Sequence, residues 1–155
     1  CLFCPLSGSC RALSEGKVQQ LPVKQHRTKT TNRYFNYIYV RMGAHTLIHK
    51  RTEDDIWKNL FELPLVETEK DLSEEEFLAC PQFHALFAEG EVRMVRILLR
   101  GVKHVLSHRV IYTNFYEVTL PDNSSSFSSY QRVAVEDLGR YAVPRLIHAF
   151  LEKYV

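Results

Sequence analysis

Three cysteines open the chain at Cys1, Cys4 and Cys10, spaced C-x2-C-x5-C. Thiolates this close can converge on one metal ion or cluster, because each intervening loop folds back within a few residues. Three ligands do not close such a site, since structural zinc and cubane clusters both take four. The fourth could be Cys80, a histidine such as His26, or a cysteine preceding Cys1; disulfide pairing and free thiols are the other readings of the same spacing. A first residue that is cysteine rather than methionine implies a processed chain or a piece of a longer one. Lipidation at Cys1 is the weaker explanation, because Leu2, Phe3, Cys4 and Pro5 follow instead of a flexible polar tether.

A second concentration of chemistry lies in His104-Val-Leu-Ser-His108. Two imidazoles and a hydroxyl within five residues can donate and accept hydrogen bonds at neutral pH. On residue types alone this is a polar turn in which Ser107 caps a backbone amide. The run Glu74, Glu75 and Glu76 invites a divalent-cation reading, but Ser73 stands before it and Glu76 occupies the capping-box position, so a helix start explains it better.

Charge comes in blocks. Lys17, Lys24, Arg27, Lys29 and Arg33 form a run without acid, as do Arg93, Arg96, Arg100, Lys103 and Arg109. Both runs suit phosphate, whereas Glu67, Glu69, Asp71, Glu74, Glu75 and Glu76 against Lys70 alone would repel it. The net charge of +2 is by itself too mild to imply an anionic partner.

The elements that must position these groups follow from patterning. A chain of 155 residues, 45% apolar and 25% charged, suffices for one core, and no apolar run reaches the roughly 18 residues of a membrane helix. Residues 1–16 read as a cysteine-rich head, 17–32 as a polar connector and 33–155 as the folded body. Residues 33–40 and 46–50 are β-branched and aromatic around Gly43, the signature of an antiparallel hairpin. Pro64 makes 60–66 a short edge strand or irregular segment. A helix is predicted from 73 or 74 to 80 and a second helical turn around Phe83, Leu86 and Phe87. Two longer strands, 93–99 and 109–120, are joined by a loop over 101–108, and a serine-rich tip over 123–129 precedes residues 130–135. Pro144 is placed at position N1 of a final helix burying Leu146, Ile147, Phe150 and Leu151. Trp57, Phe61 and Leu65 are expected in the core. The class is α/β or α+β with a mixed sheet flanked by helices.

Several separated motifs also carry a resemblance. The cysteine spacing is similar to the last three ligands of the [4Fe-4S] loop of MutY-family adenine DNA glycosylases. Asp55-Ile-Trp-Lys-Asn-Leu-Phe-Glu-Leu-Pro-Leu65 resembles that family's W-x-G-L-x-E-F-P stretch, His104-Val-Leu-Ser-His108 its H-x-F-S-H loop, and Tyr141-Ala-Val-Pro144 its Y-A-L-P segment. Asn59 stands where glycine is common, Leu63 where phenylalanine is usual, and Leu106 where the loop phenylalanine is expected.

The resemblance covers essentially the whole chain. It implies a Nudix/MutT-like C-terminal domain that reads 8-oxoguanine opposite adenine in double-stranded DNA, while an N-terminal domain of the same protein excises the adenine. It implies Ser107 as the lesion contact, with Leu106, His104 and His108 beside it and Lys103 and Arg109 on phosphate. Cys1, Cys4 and Cys10 would be three ligands of a [4Fe-4S] cluster, the fourth lying upstream, so the cluster would be lost from this fragment. The fragment would be inactive alone, and the setting a bacterial cytoplasm, at the nucleoid, without a membrane partner. The catalytic Nudix box, G-x5-E-x7-R-E-U-x-E-E-x-G-U (U being a bulky apolar residue), is missing between Asn59 and Glu89, which has neither its glycine nor its Arg-Glu pair. A stand-alone nucleotide pyrophosphohydrolase and a metal-stabilised interaction module are the competing readings.

Overall fold

The computed structural model describes residues 1, 3–21, 23 and 29–155. Lys24, His26 and Arg27, named above as cations or a ligand, lie outside the described residues. The head forms tight turns and one short helix, α1 (Arg11–Ser14). Seven strands follow: β1 (Thr31–Arg41), β2 (His45–Lys50), β3 (Phe61–Glu62), β4 (Leu65–Thr68), β5 (Met94–Val105), β6 (Arg109–Thr119) and β7 (Gln131–Ala134). Between β4 and β5 stand α2 (Glu74–Leu78) and α3 (Pro81–His84), and α4 (Arg145–Tyr154) ends the chain.

The main sheet has the order β4-β1-β6-β5, and β3-β2-β7 form a second. β1 runs parallel to β6 from Thr31 opposite Arg109 to Arg41 opposite Thr119, while β4 and β5 are antiparallel to their neighbours. The mixed sheet expected from the sequence is therefore present. Alternate side chains of β1 and β6 enter two different cores. Phe35, Tyr37, Tyr39, Ile111 and Phe115 pack beneath Leu146, Ile147 and Phe150 of α4. Ile38, Val40, Tyr116 and Val118 pack beneath Phe77 of α2 and Phe83 of α3. Burial on both faces explains why residues 35–40 form one uninterrupted buried run. Each large side chain so buried contributes about 1.5–3 kcal/mol. Aromatic stacking joins sheet to helix on either side, with ring centroids 4.2 Å apart for Phe115 and Phe150 and 4.3 Å for Phe77 and Tyr116.

Three expectations need correction. The hairpin around Gly43 closes by a single bridge, Met42 to His45, after which β1 and β2 diverge into different sheets. Both strands have buried faces to satisfy, and the second sheet supplies β2 with its own partners. The loop placed over 101–108 is mostly strand, because β5 continues to Val105 through register shifts between Ile97 and Val102. Gly101, at φ +67°, lets the chain bulge there, and its N–H donates to Asn114 Oδ1 at 2.9 Å. Pro144 is the N-cap of α4 rather than its first helical residue. The capping box at Ser73 and Glu76 is formed, although α2 stops at Leu78 and Cys80 caps α3.

The serine-rich tip is anchored by one carboxylate. Glu91 accepts hydrogen bonds from the hydroxyls of Ser124, Ser125 and Ser126 and from the amides of Ser125 and Ser126. The Ser124 and Ser126 hydroxyls, then the Ser125 amide, pull its pKa down to about 2. A depressed carboxylate favours the folded arrangement above its unfolded pKa and loses that contribution as pH falls through the folded value. Acidification from about pH 7 to about pH 1 is expected to shift the amide resonances of Ser125 and Ser126 with a midpoint near 2. A midpoint near 4.5 would show that the anchor is not formed.

Candidate functional site

The β5–β6 hairpin narrows to a two-residue apex. Val105 opposes Val110, the Leu106 N–H donates to the Arg109 carbonyl at 2.8 Å, and Ser107 and His108 form the turn. Both apex residues are exposed, and the Ser107 hydroxyl has no hydrogen-bond partner among the described residues. The polar turn read from the residue types is present, without the backbone-amide cap expected of Ser107 among the described residues. The His108 carbonyl accepts from the Thr31 amide at 3.1 Å, so the apex is tied to the start of β1.

Below the apex lies a charged clamp that sequence reasoning missed. Asp55, in the segment between β2 and β3, pairs with Arg109 through Oδ1 and, through Oδ2, with Arg33 at 2.5 Å and Arg51 at 3.2 Å. Burial pushes the Asp55 carboxyl up, but hydrogen bonds from Arg109 and Arg33 outweigh it and hold it well below the usual carboxylate range. The clamp is therefore charged at any pH above about 4. Arg33 also forms two hydrogen bonds with Glu67, both at 2.6 Å. One residue each from β1, β2's exit and β6 is thus joined at the base of the apex.

The segment carrying Asp55 is itself held by strained and buried groups. Trp57 and Asn59 have φ of 60° and 69°, in the left-handed region that disfavours side chains. Asparagine tolerates that region and glycine more so, which gives a physical reason for glycine at the motif position Asn59 fills. Trp57 packs edge-on against Phe35 and lies 5.8 Å from the His104 ring. Glu62 of the same motif is buried, accepting from Arg51 at 2.7 and 2.8 Å and from the Tyr37 hydroxyl at 3.0 Å. Burial, then the neighbouring Glu62 charge, raises the Tyr37 pKa. An open polar cleft of about 310 Å³ borders this network, lined in part by His49, Arg51, Glu62 and Tyr130. Its arginines are committed to carboxylates, and Lys50 is the lysine of its lining, without a carboxylate partner among the described residues.

The site residues named from sequence thus separate. Ser107 and His108 are presented at the apex. His104 is half-buried, with its ring beside that of Trp57 on the inner side of the hairpin. Leu106, considered as an apolar wedge, is half-buried and packs on the α4-side core; Val105, 66% exposed, is the apolar side chain standing clear. Arg109, expected on phosphate, is occupied by Asp55. Arg96 pairs with buried Glu117 near the opposite end of the hairpin, and Arg100 lies 4.0 Å from Asp71. Lys103 is exposed and has no carboxylate partner among the described residues. Trp57, Phe61 and Leu65 are partly buried against the core, as expected.

Cys1 and Cys4 are exposed thiols and Cys10 and Cys80 are half-buried ones. Among the described residues no three His, Cys, Asp or Glu side chains gather about one point, in the head or around Glu74 to Glu76.

Comparison with known proteins adds the following. Residues 36–153 match the NUDIX domain family. The chain is 24% identical over 157 residues to an adenine DNA glycosylase of Buchnera aphidicola subsp. Acyrthosiphon pisum, covering 99% of this chain and 42% of the relative. It therefore spans less than half the length of that curated relative. The C-terminal domain of mouse MUTYH, crystallised with human PCNA, superposes with a TM-score of 0.60 at 14% identity, over 79% of this chain and 86% of that one. A MutT protein of Methanosarcina mazei Go1 superposes with a TM-score of 0.52 at 18% identity, over 80% and 93% respectively. These structural likenesses establish the fold alone.

Replacing Asp55 with asparagine removes the charge that three guanidinium groups share. The cost is expected to be about 1–2 kcal/mol by denaturant unfolding, moderated because the site is partly wet. Hydrogen exchange at the Thr31 and Leu106 amides should speed up selectively. Unchanged exchange there would show that the clamp does not hold the apex.

Proposed function

The chain belongs to the NUDIX domain family, and from the exposed apex it carries on that fold we propose that it is the lesion-reading C-terminal domain of an adenine DNA glycosylase. The observation that carries this reading is the unpartnered Ser107 hydroxyl at the tip of a braced hairpin. An 8-oxoguanine differs from guanine by an N7 hydrogen and an O8 carbonyl. A discriminating contact needs an acceptor for the first and a donor for the second, and one hydroxyl with an adjacent loop amide supplies both. The similarity of nearly the whole chain to part of an adenine DNA glycosylase and the motif around Ser107 support the same assignment.

In this reading His108 lies beside Ser107 at the damaged base pair, and His104 and Leu106 brace the hairpin from its inner side. Lys103 meets the DNA backbone. Arg109 acts within the protein, because its charge is already met. The adenine is excised by a catalytic domain elsewhere in the whole protein, and the duplex containing 8-oxoguanine opposite adenine is the shared substrate. Cys1, Cys4 and Cys10 supply three thiolates of a [4Fe-4S] cluster whose fourth ligand comes from another segment. The head does not gather them on its own, so cluster assembly has to draw them together, and no recognition step depends on it.

The stand-alone pyrophosphohydrolase reading has less support. Glu76 is engaged with Ser73 and Lys70, and the segment has no Arg-Glu pair to extend a carboxylate cluster.

The test compares duplexes bearing 8-oxoguanine or guanine opposite adenine. The parent chain is expected to prefer the damaged duplex, and Ser107→Ala to lose roughly tenfold to a hundredfold of that preference while remaining folded. Equal binding of both duplexes by the parent, or an unchanged preference in the variant, would contradict the assignment.

A further inference from the structure

A second feature of the same hairpin lies on the opposite face of the main sheet from Trp57 and α4. Lys103, Tyr112 and Tyr34 stand side by side across β5, β6 and β1, each directly opposite the next in register. The two tyrosine rings are nearly parallel, with centroids 5.4 Å apart and planes inclined by 17°. The Lys103 ammonium lies over the Tyr112 ring, 6.0 Å from its centroid. One face of each ring is used on the other, and both phenol hydroxyls remain for a partner outside.

No described element covers this end of the sheet. Farther along the same face, Ile38, Val40, Tyr116 and Val118 are buried beneath Phe77 and Phe83. A polar belt then intervenes, where the Asn114 amide donates to Asn36 Oδ1 at 3.1 Å and to Asp71 Oδ1 at 3.3 Å. Beyond that belt Tyr34 and Tyr112 are half-buried, Lys103 is exposed, and neither phenol makes a hydrogen bond among the described residues. A half-exposed aromatic pair with free hydroxyls is poor surface for an apolar partner and good surface for an anionic one.

The charges select the occupant. Of the four hairpin cations Arg96, Arg100, Lys103 and Arg109, the first pairs with Glu117 and the last with Asp55, while Arg100 donates to the Leu72 carbonyl and lies 4.0 Å from Asp71. Lys103 alone lacks a carboxylate within 4.0 Å among the described residues. Lysine and tyrosine hydroxyl groups are both common donors to DNA phosphate oxygens. At a rise of about 3.3 Å per residue, Lys103 lies at most about 13 Å back from Ser107 at the apex. A duplex whose damaged pair meets Ser107 can therefore rest its backbone on this strip.

We propose that Lys103, Tyr112 and Tyr34 form a phosphate-binding strip that holds the backbone of duplex DNA beside the apex, independent of base identity. The placement relative to Ser107 rests on the lesion-reading function proposed above; the strip's affinity for a duplex does not. Phosphate contacts fix register and orientation without reading sequence, so strip and apex divide affinity from discrimination.

The test measures binding of the chain to a duplex with 8-oxoguanine opposite adenine and to an undamaged duplex of the same sequence, across a salt series. The variant combines Lys103→Gln with Tyr34→Phe and Tyr112→Phe, which keeps both rings and therefore the packing; matching Tm values confirm the fold. It should bind both duplexes about tenfold more weakly at low salt, with the salt slope lowered by about 0.9 and the ratio between duplexes unchanged. Undiminished binding of the undamaged duplex with an unchanged slope would overturn the strip, whatever Ser107→Ala does. If the parent shows no preference for damage but the triple variant still loses affinity for both duplexes, the strip stands and the lesion reading falls. If the parent binds neither duplex at low salt, both fall.

Discussion

The Asp55 carboxylate is the constraint on which the rest of the site depends. It lies where a parallel strand pair, a hairpin and the crossing segment of a second sheet meet, and it joins Arg33, Arg51 and Arg109. Without it Arg33 and Arg51 would keep Glu67 and Glu62, but Arg109 would lose its carboxylate and the three guanidinium groups their common link at the base of the apex. With it, the two exposed residues of the turn are set on a rigid foundation, reinforced by the Thr31 amide on the His108 carbonyl. A recognition contact gains little from a hydroxyl that wanders, because ordering it on binding costs conformational entropy. The clamp supplies that order beforehand.

The sheet underneath is stiff for a different reason. Its two central strands bury side chains on both faces, against α4 on one side and against α2 and α3 on the other. The hairpin projects from this double-sided core, and only its end is left uncovered. The fold is that of the NUDIX domain, yet the glutamates on α2 serve the helix start, while the working surface proposed for this chain has moved to the hairpin end. Family membership thus sets the scaffold, and the particular side chains at its edge set the use.

Much of this was legible in residue order. The β-branched and aromatic runs gave the long strands, Ser73 with Glu76 gave the capping box, and the apolar face of the last helix gave its buried residues. The isolated dipeptide Ser107-His108 was marked by motif. What escaped was long-range. Gly43 flanked by two strand-like runs looks like a hairpin, but local patterning carries no information about a competing partner, and β6 captures β1 instead. Gly101 read as the start of a loop, whereas a bulge lets the strand pass through it. The basic run from Arg93 to Arg109 looked uniformly free because its acids, Glu117, Asp71 and Asp55, come from other strands and segments. Asp55 and Glu62 stood in a recognised motif but nothing in it named their arginine partners, although a glutamate within the apolar run from Leu60 to Leu65 is a pattern that asks for a buried cationic partner.

The central claim is that the hairpin apex is the part of this domain that meets the damaged base. Amide chemical-shift mapping of the isotopically labelled chain during titration with a duplex containing 8-oxoguanine opposite adenine tests it most directly. The account predicts perturbations centred on Ser107 and His108 and extending to Thr31, with Met94 and Thr119 at the far end of the sheet unmoved. Perturbations centred on the cleft around His49 and Tyr130, with Ser107 and His108 unaffected, would contradict it.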